Sequence, residues 1–222
     1  MADDLIPRAD ALGKRVSGHP EHQREVVPAL IAMLWQAAGP DELVAVVEAL
    51  GKAWSDAATL ALLSLADHSD ADVRFAVACA LPCGVEHDEA AALVAGALCL
   101  LARDGSPDVR DWAVFGLGTQ LDVDTAEVRE VLRERLWDPD LDVRMEALRG
   151  LAARRDPGVL ELIRDQLAAE EVEWLAVDAA RAFADRSLVA ALRELERAGW
   201  DEDPDLLAEA LRACASGRQE DC

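Results

Sequence analysis

Apolar residues recur at helical spacing along most of the chain. Val128, Leu132 and Leu136 follow one another at intervals of four, and segment 159–167 repeats the pattern. This spacing places the apolar side chains on one face of a helix, where they can be buried together. The alternation of β-branched and polar residues that is typical of a half-buried strand is absent. The pattern therefore predicts an all-α protein without a β-sheet.

Signals for the beginning of a helix accompany this pattern. A side chain that can cap a helix stands directly before a first-turn proline at Ser106-Pro107, Asp156-Pro157 and Asp203-Pro204. Asp124 and Glu127 have the spacing of a capping box. Together with the apolar periodicity, these signals predict a unit of helix A, a short turn, helix B and a second short turn.

The helix pairs form a tandem array. The segments DVRFAVACAL, DVRDWAVFGL and DVRMEALRGL align without gaps, and their arginines, Arg74, Arg110 and Arg144, are 36 and 34 residues apart. A fourth copy, EVEWLAVDAA, has Glu173 where arginine is expected. Weaker copies, DELVAVVEALG and PDLLAEALRACA, precede and follow these four. Such periodicity indicates a stack of supersecondary units that bury their apolar faces against one another.

The repeated Asp-Val-Arg signature, followed by small residues and leucine, resembles the HEAT-repeat family in its bacterial form with short repeats. The resemblance covers roughly residues 42–217. It implies a right-handed α-solenoid of about five to six HEAT-like helix-pair repeats, with the A helices convex and the B helices concave. It also implies that the recurring acids and arginines form a ladder along the stacked turns, and Glu173 would interrupt this ladder. The ladder would comprise Asp72, Arg74, Asp108, Arg110, Asp142 and Arg144.

Three segments are expected along the chain. Residues 1–22 have weak periodicity and are predicted to form an N-terminal arm or partial cap. Residues 23–217 are predicted to form the HEAT-like repeat solenoid, and residues 218–222 a disordered tail.

The charge of the chain restricts its partners. The 44 acidic residues outnumber the 22 basic ones among 222 residues, which gives a formal net charge of −22. Such a chain repels the phosphate backbone of duplex nucleic acid and the anionic surface of a membrane. It attracts basic proteins and cationic ligands, although the acids could also serve only solubility.

The cysteines and the apolar stretches bear on localisation. The five cysteines are odd in number and lie in helical surroundings, which favours reduced thiols in a cytoplasmic protein. The first residues, MADDLIPRAD, are acidic and lack the apolar core of a signal peptide. The most apolar stretch, ALVAGALCLLA, is too short to cross a bilayer. We therefore expect a cytoplasmic protein.

One face of the B helices carries unexpected residues. On a wheel of about 100° per residue, Val109, Ala113 and Leu117 form the core stripe of the second copy, and Trp112 lies opposite. In neighbouring repeats the equivalent positions would form a strip on the concave surface. The strip comprises Phe75, Asp111, Trp112, Phe115, Met145, Glu146, Trp174, Leu175 and Asp178. Clustered apolar groups flanked by acids are typical of a binding surface, unless tight curvature of the superhelix buries them. The other tryptophans, Trp35, Trp54, Trp137 and Trp200, are expected to pack between repeats.

We expect this strip to bind a protein partner with a basic or amphipathic segment, because aromatic faces and carboxylates both attract cations. One alternative is base recognition: alkylpurine DNA glycosylases built from HEAT-like repeats use concave Trp and Asp residues, and Asp111 beside Trp112 resembles that arrangement. The net charge of −22 opposes it. A second alternative is an acidic immunity protein or nucleic-acid mimic.

Few residues are placed for chemistry. Cys79, Cys83 and His87 have helical spacing, but Pro82 and Gly84 interrupt the helix between them. Tyrosine is absent, and no serine lies in a nucleophile elbow. The sequence therefore predicts a non-enzymatic module with no metal and no cofactor.

Overall fold

The computed structural model describes residues 5–85 and 87–217, which contain thirteen α-helices and no β-strand. Short 3₁₀ turns join several of the helices, and α7 continues into a π-helical turn, Gly116–Gln120. The residues of the predicted tail, 218–222, lie outside the described ranges. The helices are, in chain order, α1 (Leu5–Val16), α2 (Gln23–Leu34), α3 (Pro40–Gly51), α4 (Asp56–Leu63), α5 (Ala71–Ala80), α6 (Asp88–Leu101), α7 (Pro107–Phe115), α8 (Ala126–Arg135), α9 (Leu141–Ala153), α10 (Leu160–Leu167), α11 (Trp174–Phe183), α12 (Val189–Ala198) and α13 (Pro204–Ser216).

The chain folds as two compact units, Met1–Val123 and Asp124–Cys222. We call them the N-terminal unit and the C-terminal unit and describe each by itself. The predicted repeat domain, residues 23–217, includes the boundary between them.

The N-terminal unit contains three helix pairs, α2/α3, α4/α5 and α6/α7. The B helices α3, α5 and α7 pack in that order, and α1 packs against α3, so that α1 covers the outer face of the first pair. Gly51 shows how closely B helices approach, because a Cβ atom at this position would lie 2.8 Å from the Cβ of Ala80. The small residues of the repeat signature are therefore required at the helix crossings.

The C-terminal unit has the same plan, with pairs α8/α9, α10/α11 and α12/α13 and the B helices α9, α11 and α13 in contact. Its core contains Val143, Leu151 and Ala179, which have no measurable exposure. At the end of the unit, a Cβ atom on Gly217 would lie 1.8 Å from the carbonyl oxygen of Ala184. Only glycine therefore fits where α13 ends beside α11.

Aspartates cap the B helices α5 and α9 through the same pair of hydrogen bonds. Asp70 Oδ1 accepts from the backbone N–H groups of Asp72 and Val73, and Asp140, two repeats later, accepts the equivalent two bonds. These caps satisfy N–H groups that have no partner within the helix. The signature Asp-Val-Arg therefore begins two residues after the capping residue.

The predicted helix starts are only partly reproduced. Asp203 and Asp156 accept backbone hydrogen bonds as expected, from Leu206 and Gly158 respectively. Ser106 precedes α7 in extended conformation but makes no capping bond with its side chain. The predicted capping box at Asp124 is replaced by a cap from Thr125, which accepts a hydrogen bond from the Val128 N–H. Asp124 is unavailable because its carboxylate binds the guanidinium of Arg129.

Within the described ranges, no helix combines the length and the apolar character needed to cross a membrane. The apolar stretch noted in the sequence lies in α6, which is 14 residues long.

Candidate functional site

The arginines of the repeat signature hold the turn between helix A and helix B. The Nη1 group of Arg74 donates to the carbonyl oxygens of His68 (2.7 Å) and Ser69 (3.1 Å). Arg110 and Arg144 make the equivalent pair of bonds to their own turns. A single side chain thus satisfies two carbonyl groups of a turn that has no regular backbone partner for them.

The ladder uses a different acid from the one predicted. Arg74 donates from Nε (2.6 Å) and Nη2 (2.9 Å) to the two carboxylate oxygens of Asp104, in the turn of the next repeat. These hydrogen bonds from Arg74 lower the pKa of Asp104, and the Ser106 N–H bond to the same carboxylate acts in the same direction against the effect of burial. The prediction for the acids is therefore corrected: the first-turn aspartates are exposed, and the helix cap lies two residues before each of them. The corrected residues are Asp72, Asp108 and Asp142.

An aromatic cluster lies on the B helices of the N-terminal unit. The ring of Trp112 on α7 contacts Phe75 on α5 and Phe115 on its own helix, with ring centroids 6.1 and 5.5 Å apart. Both pairs meet edge to face, at 87° and 85°. This geometry is favourable for aromatic rings beyond the area that it buries. Trp112 is still 37% exposed. We call these three residues the aromatic cluster.

Two acidic residues lie on the same set of B helices as the aromatic cluster. Asp111 precedes Trp112 on α7, and Glu48 is exposed on α3, two B helices away. Burial raises the pKa of the Cys79 thiol on α5 to about 12, and the negative charge of Glu48 and Asp111 adds to this effect. Both carboxylates therefore act on the same part of α5. The surface combines aromatic rings with acids and has no basic residue among the strip positions of α5 and α7.

In the C-terminal unit, the strip positions of α9 lie in the interior. Met145 and Glu146 are 3% and 8% exposed. The structure therefore differs from the expected solvent-facing strip at these two residues. The reason is packing, since α9 is covered by α11 on one side and by α8 and α10 on the other.

The strip positions of α11 are divided between the surface and the interior. Trp174 is exposed and Leu175 is half-buried. Asp178 is 6% exposed and is held by two arginines: Arg149 Nε donates to Oδ2 (2.9 Å), and Arg181 Nε donates to Oδ1 (2.8 Å). A carboxylate that already binds two guanidinium groups has little remaining capacity for a cationic ligand.

The thiols and histidine considered as metal ligands are separated in the structure. Cys83 Sγ donates to the carbonyl oxygen of Cys79, whereas His87 Nδ1 lies 3.0 Å from a carboxylate oxygen of Asp56. Burial also raises the pKa of Cys83, so both thiols favour the protonated form. Among the described residues, no group of three or more His, Cys, Asp or Glu side chains could hold a metal ion.

Three of the four remaining tryptophans differ from expectation. Trp35 and Trp137 are 85% and 77% exposed, and Trp54 is also exposed, so none of them packs between repeats. Trp200 is half-buried, and its indole N–H donates to the carbonyl oxygen of Val172. Trp137 borders an apolar groove that was not predicted from the sequence, because its walls come from the α8–α9 turn, α9 and α10.

A comparison with protein families decides the class of the repeats. Residues 94–182 match the family model of HEAT repeats. Residues 94–182 are HEAT repeats. The chain is also 34% identical over 92 residues to the protein YibA of Escherichia coli K12. That match covers 41% of this chain and 32% of YibA, so the similarity spans about a third of the length of the relative.

Solved structures have the same fold at low identity. The X-ray structure of E. coli YibA covers 96% of both chains with a TM-score of 0.53 at 19% identity. An engineered protein gives a TM-score of 0.59 at 21% identity over 95% of this chain and 64% of its own. The complex of CpcE and CpcF of phycocyanin lyase from Nostoc gives 0.55 at 18% identity over 97% and 94%. The predicted HEAT-like repeats and all-α solenoid class are confirmed.

Proposed function

We propose that this protein is a non-enzymatic interaction module whose N-terminal unit binds a basic, partly apolar protein segment. The observation that carries the proposal is the aromatic cluster: Phe75, Trp112 and Phe115 form a partly exposed edge-to-face group on two adjacent B helices. Surface-exposed aromatic groups of this kind are enriched at the energetic centres of protein interfaces.

The chemistry of this surface favours a cationic partner. The exposed face of Trp112 can accept an arginine or lysine side chain through a cation–π interaction. Glu48 and Asp111 add negative charge to the same region. An apolar side chain of the partner would contact Phe75 or Phe115, whose rings already meet Trp112 edge to face. A segment that carries both groups therefore complements the surface.

The net charge of −22 extends this preference to the whole molecule. It attracts a basic protein over long distances and repels duplex nucleic acid. Long-range attraction does not require particular aromatic residues, whereas recognition by the aromatic cluster does. The experiment must separate these two contributions.

The test measures binding of a fluorescein-labelled amphipathic peptide with leucine on one face and arginine on the other. Trp112→Ala should weaken binding about tenfold, because it removes the cation–π partner and apolar contact area. Trp35→Ala is the matched control, since Trp35 is 85% exposed in the same unit and lies outside the aromatic cluster. Equal affinity of the two variants and the parent would overturn the proposal. Binding of duplex DNA at low salt that depends on Trp112 would support the glycosylase-like alternative instead.

A further inference from the structure

An apolar groove crosses the C-terminal unit beside the α8–α9 turn. Its volume is about 260 Å³. Trp137 and Leu141 stand exposed at its edge, and Met145 and Leu148 of α9 form its floor. The full lining consists of Leu136, Trp137, Leu141, Arg144, Met145, Leu148, Leu162 and Gln166. The groove is smaller than most small-molecule pockets, which measure about 300–1,000 Å³. It has room for one large apolar side chain and not for a helix.

The charged residue in the groove is Arg144. Its Nη1 group donates to the carbonyl oxygens of Asp138 (2.8 Å) and Pro139 (3.0 Å). In the N-terminal unit, Arg74 makes the same Nη1 bonds and directs Nε and Nη2 to the carboxylate of Asp104. Within ranges 5–85 and 87–217, Arg144 forms no ion pair. Two N–H groups of its fork therefore lack the acceptor that the equivalent arginine has.

The sequence explains why the acid is missing. Asp104 and Asp138 stand six residues before Arg110 and Arg144, but the residue six positions before Glu173 is Leu167. Leu167 is buried in α10 and cannot accept a hydrogen bond. The residues of α10 that line the groove are Leu162 and Gln166, of which Gln166 is polar. Arg74 in the N-terminal unit thus faces the carboxylate of Asp104, whereas Arg144 in the C-terminal unit lines a groove.

We propose that this groove binds a carboxylate attached to a large apolar side chain, as found at the end of a polypeptide whose last residue is leucine or phenylalanine. The side chain would fill the space between Leu141, Met145 and Leu162, and the carboxylate would accept from Nε and Nη2 of Arg144. A guanidinium fork binds a carboxylate through two parallel hydrogen bonds, and apolar walls strengthen such bonds. The site lies in the C-terminal unit and does not depend on the proposed function.

The experiment uses N-acetyl-Leu-Phe as the free acid and as the C-terminal amide, titrated into ¹⁵N-labelled full-length protein and followed by NMR. The free acid should shift the Trp137 indole signal and the Arg144 Nε signal, each assigned by substitution. It should bind about tenfold more tightly than the amide, which lacks the charge for the guanidinium fork. Equal affinities, or shifts confined to other signals, would overturn the proposal.

Two variants distinguish the site from general attraction. Gln166→Glu is nearly isosteric and places a carboxylate among the residues that line the groove, where it would repel the carboxylate of the ligand, so the free acid should bind about tenfold more weakly. Arg144→Lys keeps the charge and removes the fork, and it should reduce the preference for acid over amide. Because Arg144 also holds a turn, the thermal midpoint of that variant must be measured beside its binding. Unchanged affinity of Gln166→Glu, a variant that leaves Arg144 in place, would contradict the proposal.

Discussion

Equivalent repeat positions have different roles in the two units. The position of Phe115 in the N-terminal unit is occupied by Arg149 on α9 and by Asp178 on α11, and the position of Trp112 is occupied by Glu146 on α9. In the N-terminal unit these residues form a partly exposed aromatic cluster. In the C-terminal unit they are buried or half-buried, and Arg149 binds Asp178. The same repeat position thus contributes to a partly exposed surface in the N-terminal unit and to an ion pair between helices in the C-terminal unit.

The difference follows from what each side chain needs when it is buried. A buried carboxylate requires partners for its charge and its lone pairs, and Asp178 obtains them from Arg149 and Arg181. An aromatic side chain can remain half-exposed at a small cost. The repeat signature specifies the core stripe and leaves this face free to take either role.

The largest effect is expected at Asp178. Asp178→Ala should lower the free energy of unfolding by about 3–5 kcal/mol, because it removes the buried carboxylate that accepts hydrogen bonds from both Arg149 and Arg181. Urea denaturation followed by circular dichroism measures the change. Asp165→Ala, at an exposed position of α10, is the control and should change little. A loss below about 1 kcal/mol would mean that Asp178 is not an internal cross-link.

The Arg74–Asp104 pair gives a smaller effect with a pH signature. Asp104→Asn should cost about 1.5–3 kcal/mol at neutral pH, since the acceptor is a charged group that receives two hydrogen bonds from Arg74. The hydrogen bonds from Arg74 lower the pKa of Asp104 in the folded state. The stabilisation is therefore fully present above the unfolded pKa of about 4 and is lost as the pH falls through the lowered folded pKa.

This prediction is tested by unfolding the parent and the variant at pH 7, pH 4 and pH 2.5. The difference between them should shrink in acid. A difference that is independent of pH would assign the effect to packing and not to the ion pair. Asp108→Asn, at an exposed position of the same repeat, provides the matched control.

The contribution of Trp112 to stability should be smaller than that of Asp104. Trp112→Ala should lower the free energy of unfolding by about 1–2 kcal/mol, because the side chain is partly exposed and its edge-to-face contacts with Phe75 and Phe115 are lost. Trp35→Ala, at an 85% exposed position, should cost less than about 0.5 kcal/mol. Thermal denaturation of both variants checks the order. If Trp112→Ala lowered the free energy of unfolding as much as Asp178→Ala, the aromatic cluster would be part of the hydrophobic core.

The smallest effect on stability is expected for the aspartates that the sequence predicted to be part of the ladder. Asp72→Asn should change stability by about 0.5 kcal/mol or less, since its exposed carboxylate is left with the weak attraction to the N-terminus of α5. Asp70→Ala, which removes the cap, should cost about 1 kcal/mol. A larger loss of stability for Asp72→Asn than for Asp70→Ala in chemical denaturation would show that Asp72 is part of the ladder.

The helices and their repeats were predictable because each depends on residues close in sequence. The apolar stripe, the small residues at the crossings and the arginines that hold their own turns all recur within a short window. The partner of Arg74 was not predictable in the same way, because Asp104 is 30 residues away and in the next turn. The burial of Met145 and the exposure of Trp137 likewise depend on which helices pack around them.

The sequence by itself determined the class of this protein: an all-α stack of HEAT-like repeats with a strong negative charge. These properties follow from periodicity and composition, which do not depend on distant contacts. The tertiary structure decided which free positions of the repeat reach solvent, as at Trp112, and which are enclosed with their partners, as at Asp178. It also decided that Arg144 faces a groove where Arg74 faces an acid. Burial is set by neighbouring helices, so identical repeat positions acquired different chemistry.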